Sequence, residues 1–192
     1  MAISGRLKNF LDGAKIRYSV AAHPVVYTAQ EIAAAQHVPG RQLAKSVLIK
    51  TDRGLRLAVL PAIYLIDLKK LKMALRAKTL SIAKESDIKT AFADVEVGAM
   101  SPFGNLYEVP VIVERGLEGS EHIVFNGGSH RETVKCTFRD FANAAKPQLA
   151  QFALTPKKTA AKNKIKKSKT TKKPVKKTAK KSSSGKKRSG RR

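Results

Sequence analysis

Between Pro156 and Arg192 the chain carries 18 lysines and arginines and no acidic residue. This constrains folding more than any other feature, because it removes 37 residues from the pool that can build a core. Apart from alanines, the segment's apolar residues are Ile165 and Val175, too few to offset the entropy of ordering a backbone. Lys166-Lys167 and Lys172-Lys173, interleaved with Ser, Thr, Pro and Gly, predict a disordered, self-repelling arm over 156–192. An arm of this kind binds a polyanion by counterion release and reads no sequence. Nucleic acid is the first expectation; an anionic membrane surface or a solubilising role are the alternatives.

Residues 1–155 are left with 21 of the chain's 39 basic groups against all 14 acidic ones, a net charge of +7. That length suits a single domain with a substantial core. No run approaches the ~20 apolar residues of a membrane helix. The N-terminus, MAISGRLKNFLDGAK, lacks the apolar block of a signal peptide, so a cytoplasmic location is expected. The lone cysteine, Cys136, rules out an intramolecular disulfide and a cysteine-cluster metal site. It falls in the alternating run Thr133–Thr137 and reads as a strand residue.

Periodicity predicts a helix over Ile3–Ala14, a strand over Ile16–Ala22, and a helix opened by the capping box Thr28-x-x-Glu31 and running through His37. Two β-branched runs, Ser46–Thr51 and Leu55–Leu60, flank Asp52-Arg53-Gly54 as a hairpin. Asp67 caps a helix to about Ala77, Thr79–Ala83 reads as a strand, and Ser86 caps a helix over Asp87–Phe92. A Gly, Pro, Ser and Asn-rich loop spans Val97–Glu108. Strands follow at Val109–Glu114, His122–Asn126 and Glu132–Thr137, and a helix over Phe138–Ala145 closes the domain before Pro147. Helices and hairpins in irregular order predict an α/β fold, bordering on α+β, around a mixed sheet.

No nucleophile elbow, phosphate loop or dinucleotide fingerprint is present, and histidines 23, 37, 122 and 130 lack metal-ligand spacing. Three features could carry chemistry. Lys45, at the mouth of an apolar strand, can hold a phosphate or oxyanion as a point charge, or it is simply a solvated strand-end lysine. Gly98-Ala99-Met100-Ser101-Pro102-Phe103-Gly104 can fix a tight backbone that aims N–H groups at an anion, or serve as an ordinary structural loop. Asn126-Gly127-Gly128-Ser129-His130 permits close approach of a ligand, with Ser129 and His130 as polar contacts, or is a plain turn.

Taken in order, His23-Pro24, Thr28-Ala29-Gln30-Glu31, Leu43-Ala44-Lys45-Ser46-Val47, Gly98-x-x-Ser101-Pro102-Phe103-Gly104 and Phe125-Asn126-Gly127-Gly128-Ser129-His130 resemble the YbaK family. These are free-standing aminoacyl-tRNA deacylases, similar to the editing domain inserted in bacterial prolyl-tRNA synthetases. The resemblance covers about residues 4–148 and excludes the tail. It implies a compact domain with a curved mixed sheet flanked by helices and a cleft for the 3′ end of a tRNA. It implies ester hydrolysis, with Lys45 binding the terminal phosphate or the carbonyl oxygen and the loop at Gly98, Ser101 and Pro102 orienting the ester. His23, Tyr27, Phe103, Gly128, Ser129 and His130 are the implied substrate-binding residues. No metal or cofactor is implied. The implied partners are tRNA, its 3′ end in the cleft, and an aminoacyl-tRNA synthetase; the tRNA backbone on the basic tail is an expectation from the tail's charge alone. Two other readings stand beside hydrolysis: a non-catalytic nucleic-acid or synthetase adaptor of the same fold, and a chromatin-like condenser driven by the tail.

Overall fold

Among the described residues, four of the five α-helices begin at a residue whose side chain accepts a backbone N–H of the first turn. The structure, a computed structural model, describes residues 3–25 and 27–154; the expected basic arm over 156–192 lies outside them. Helix α1 (Gly5–Gly13) begins after Ser4, whose Oγ accepts the Leu7 N–H at 3.3 Å, and it buries Leu7 and Leu11. Strand β1 (Tyr18–Ala22) follows. Helix α2 (Ala29–Ala35) has the expected capping box between Thr28 and Glu31. It stops short of His37 because that residue takes a left-handed backbone with φ 51°.

The expected hairpin forms as β2 (Ala44–Thr51) and β3 (Gly54–Pro61), paired from Ala44 opposite Pro61 to Thr51 opposite Gly54. Its turn needs glycine, since Gly54 sits at φ +93°. After β4 (Leu65–Ile66), Asp67 accepts the Lys69 and Lys70 N–H groups and starts α3 (Leu68–Ala74). Strand β5 (Leu80–Ile82) leads to α4 (Glu85–Ala91). Here the expectation for Ser86 is corrected. Lys84 occupies the cap position and Asp87 reaches back to accept its N–H at 3.0 Å, which leaves Ser86 in the first turn.

Strands β6 (Val111–Glu114), β7 (His122–Asn126) and β8 (Glu132–Thr137) precede α5 (Phe138–Ala145), capped by Thr137 at the Asp140 N–H. The chain does not end its folded part there, as the sequence pattern implied. It adds β9 (Gln148–Ala150) and β10 (Ala153–Leu154). These strands are too short to show periodicity. Strand β9 pairs with β6 and β10 with β4, and the bend between them is fastened by the buried Glu114, whose Oε2 accepts the Phe152 and Ala153 N–H groups at 2.6 and 2.7 Å.

The architecture is α/β, with a mixed sheet flanked by helices. Its five strands run β5-β2-β3-β6-β9, antiparallel from β5 to β3 and parallel from β3 to β9. A second, antiparallel sheet has the order β1-β8-β7. An isolated parallel bridge between Leu43 and Val124 joins the two. Strand alternation divides the core. Leu48, Leu57 and Val59 pack with Ile123, Phe125 and Val134 and with Leu7, Leu11 and Phe141 from the helices. Ile49, Ala58, Leu60 and Ile112 face the other way, onto Leu71 and Phe152.

Cys136 belongs to the first of these clusters, and burial pushes its thiol pKa up to about 12. A thiol held protonated is a poor nucleophile. Native protein at pH 8 is therefore expected to resist iodoacetamide, and urea-unfolded protein to react at the rate of an ordinary cysteine. Rapid labelling of the folded chain would contradict this placement.

Candidate functional site

The Leu43–Val124 bridge sets the start of β2 beside the end of β7, so Lys45 and Ser46 come alongside Asn126. The opening between them is a cleft of about 320 Å³, counting the space open to solvent. Ile32 and Ala29 of α2 and Leu43 form its apolar side; Tyr27, Lys45, Ser46, Gly98 and Asn126 supply its polar groups.

Lys45 is half-buried. Its Nζ donates to the carbonyls of Ala62, at 3.2 Å, and Tyr64, at 2.5 Å, both in the segment leaving β3. An ammonium has three donors, so one remains beyond these two. Burial lowers the pKa of the amine. An anion or developing oxyanion brought to the cleft would favour the charged form again.

Gly98 lines the cleft from a turn in which the Ala99 N–H returns to the Glu96 carbonyl at 2.9 Å. Its φ of +90° at the third position of that turn is what glycine permits. A Cβ there would also sit 3.4 Å from His130 Cε1. Behind Gly98 the loop turns inward. Ser101 and Pro102 are buried and do not line the cleft. Phe103 is wholly buried, its ring 5.3 Å from those of Phe10 and Phe141 and 5.6 Å from that of Phe125. This corrects the expectation that Phe103 touches substrate: it is the plug that pins the loop to the core.

His130 is also buried, and it borders the Gly98 turn. Its backbone N–H donates to Glu96 Oε2 at 2.8 Å and its Nε2 lies 2.9 Å from the Val97 carbonyl. A carbonyl only accepts, so Nε2 carries the proton, and Nδ1 is buried without a partner. The exposed ring of Tyr27 lies 4.9 Å from the His130 ring, tilted by 56°. Tyr27 thus lines the cleft, and the His130 ring packs against Tyr27 and beside Gly98 without lining it.

Gly128 and Ser129 are placed elsewhere. They line a neighbouring hollow with Ser4 and the Ala93–Glu96 segment. Gly128, at φ +110°, packs so closely that a Cβ would lie 3.0 Å from Ser4 Cβ, and Ser129 Oγ donates to Glu132 Oε2 at 3.3 Å. The small-residue turn thus accommodates the N-terminal segment rather than the Lys45 cleft. His23 is buried; its backbone N–H bonds to the Arg131 carbonyl and its Nδ1 lies 2.8 Å from the Pro24 carbonyl. It is not a cleft-lining residue.

Two cleft residues escaped the sequence reading. Ser46 was legible only as part of an apolar strand, and Asn126 as the last residue before a glycine turn. Both carry a buried oxygen without a partner, Ser46 Oγ and Asn126 Oδ1. Among the described residues, no group of three His, Cys, Asp or Glu side chains is placed to hold a metal ion. No described helix is long and apolar enough to cross a membrane.

The fold is that of known editing domains. A solved structure of a proposed trans-editing enzyme for prolyl tRNA synthetase superposes with a TM-score of 0.70 at 20% identity, covering 79% of this chain and 96% of that one. The family model of the aminoacyl-tRNA editing domain matches residues 23–144, and the chain belongs to that family. All five motifs that resemble the YbaK family fall within this span. The prolyl-tRNA editing protein ProX of Acetoanaerobium sticklandii is 28% identical over 142 residues, 71% of this chain and 86% of that protein. A proline–tRNA ligase of Fervidobacterium nodosum is 31% identical over 104 residues, 54% of this chain but 18% of the ligase.

Proposed function

We propose that the chain is an aminoacyl-tRNA deacylase that hydrolyses, in trans, the ester of a small amino acid wrongly attached to proline tRNA. The observation that carries this reading is the cleft itself. Its ionisable lining groups are the Lys45 ammonium and the Tyr27 phenol, and it opens beside a glycine turn. An aminoacyl ester is already activated, so hydrolysis needs positioning and oxyanion stabilisation more than a covalent nucleophile. In this reading the 3′ end enters past Tyr27, which His130 backs. Water, or a ribose hydroxyl whose acyl product water then cleaves, attacks the ester carbon. The carbonyl electrons move onto oxygen and return to expel the ribose oxygen of the ester, which takes up the proton that the attacking hydroxyl gives up. Lys45 meets that oxyanion, or the terminal phosphate, with the donor its two carbonyl bonds leave over. The Gly98 turn orients the ester; Ser101 and Pro102 act from behind by holding the turn in place. The choice of proline tRNA is supported by the names of the relatives, a prolyl-tRNA editing protein and a proline–tRNA ligase.

The basic arm serves as an affinity supplement for the tRNA backbone. A chain ending at residue 155 is expected to bind tRNA more weakly, with a shallower dependence on salt, while its turnover at saturating tRNA survives. Filter binding over a range of salt concentrations, with single-turnover hydrolysis alongside, tests this. Unchanged affinity and salt slope would show that the arm serves another partner, such as a synthetase. The deacylase reading itself is tested by hydrolysis across a panel of mischarged tRNAs; a chain that binds tRNA without hydrolysing any ester would be an adaptor.

A further inference from the structure

We propose that the outer face of α3 is the docking surface for the phosphate backbone of the RNA behind its esterified 3′ end, an inference that rests on the function proposed above and assigns the part of the substrate outside the cleft. From Leu68 to Ala83 the chain holds five basic residues, Lys69, Lys70, Lys72, Arg76 and Lys78, and no acidic one. Helix α3 turns Leu71 into the core, and Lys69, Lys72 and Met73 face away from it, all exposed. Two carboxylates touch this stretch, and each bonds its backbone. Asp67 accepts the Lys69 and Lys70 N–H groups, with the Lys70 ammonium at 4.0 Å, and Asp52 accepts the Lys78 and Thr79 N–H groups. On other exposed faces a lysine meets an acid, as Lys8 does Asp12 at 2.6 Å and Lys50 does Asp87 at 3.2 Å. Lys69 and Lys72 have no ion-pair partner among the described residues. Two unneutralised ammonium groups on one helical face match an anion that repeats along a strand.

Two connections put this face between the cleft and the basic arm. Lys45 holds the Tyr64 carbonyl, and Lys69 follows Tyr64 by five residues, at most ~18 Å of chain. An RNA whose ester lies at Lys45 is therefore within reach of α3. On the other side, β10 pairs with β4, Leu154 opposite Leu65, and the Asp67 N–H that precedes α3 bonds the Phe152 carbonyl at 2.8 Å. Gln148 Nε2 also donates to the Ala74 carbonyl at the far end of the helix, at 3.0 Å. The arm is thus joined to the domain beside α3. An arm that reads no sequence supplies attraction without register, whereas lysines fixed on a helix set where a backbone lies. An anionic lipid surface carries similar head-group charge, but it binds a helix whose apolar face is free to insert. Around α3 the exposed Leu68 and Met73 are separated by Lys69 and Lys72, so no continuous apolar face is presented.

The test uses the full chain and two RNA probes, proline tRNA and the trinucleotide CpCpA, with filter binding over a range of salt concentrations. The double variant Lys69→Gln/Lys72→Gln is expected to bind the tRNA about tenfold more weakly near ~0.1 M salt, with the slope of log affinity against log salt shallower by about two. Its affinity for CpCpA and its turnover at saturating tRNA should match the native chain, because α3 lies outside the cleft. Arg17→Gln/Lys135→Gln removes the same charge from exposed positions on the second sheet and is expected to leave the salt slope near native. An unchanged slope in the α3 variant, or an equal loss in the control variant, would overturn the proposal. So would tRNA binding that stays intact in the α3 variant while its binding to phosphatidylserine vesicles is lost. A native chain that hydrolyses no ester yet shows the α3-dependent slope would instead sink the deacylase reading and leave this surface standing.

Discussion

Phe103→Ala is expected to lower the stability of the domain by about 3–5 kcal/mol, the range for removing a fully buried phenylalanine. The ring has no exposed surface and lies against Phe10, Phe125 and Phe141, which come from three different elements. Neighbours held by α1, β7 and α5 cannot all collapse into the vacated space, so a cavity remains and its cost adds to the lost transfer energy. That loss is large beside the ~5–15 kcal/mol total of an ordinary domain. Urea unfolding should show a lower midpoint with an unchanged slope. If Phe103 were instead a ligand contact, the midpoint would stay near that of the native chain and only substrate binding would weaken.

Lys45→Ala is expected to reduce ester hydrolysis by roughly 10²–10³-fold at saturating substrate, the effect of removing one preorganised oxyanion donor. The fold should survive, because the ammonium sits at the edge of a cleft and not within any of the three buried hydrophobic clusters of the described residues. The substitution does strip the Ala62 and Tyr64 carbonyls of their donor, so a modest fall in stability accompanies it. Lys45→Arg separates the two contributions. A guanidinium can satisfy the carbonyls but presents its charge in a planar fork rather than at a point, so stability should return further than turnover. Turnover unaffected in Lys45→Ala, with the protein folded, would remove this lysine from the mechanism.

How much of this was legible in the sequence depended on whether the signal was local. The capping box at Thr28 and Glu31, the Asp67 cap and the β2–β3 hairpin are written within a few residues, and each formed where the pattern put it. Strands β9 and β10 depend on pairing with β6 and β4, and the bend between them on a carboxylate 38 and 39 residues away in sequence; no local pattern announces either. The cleft divides along the same line. Lys45 and Gly98 could be named because a lone cation on an apolar strand and a glycine in a tight loop are visible as such. That the glycines at 127 and 128 face Ile3 and Ser4 is a tertiary fact, since a turn that admits a ligand and one that admits another stretch of chain share the same composition. Phe103 misled for a similar reason: an aromatic between Pro102 and Gly104 reads alike whether its ring points to substrate or to core.

The measurement that bears most directly on the central claim is single-turnover hydrolysis by the full chain of proline tRNA carrying alanine, with the same tRNA carrying proline as the control. Release of alanine well above the spontaneous rate, slow release of proline, and loss of the alanine reaction in Lys45→Ala is the predicted result. No acceleration with alanine or with any other small amino acid on that tRNA, by a chain shown to be folded and to bind it, would contradict the account.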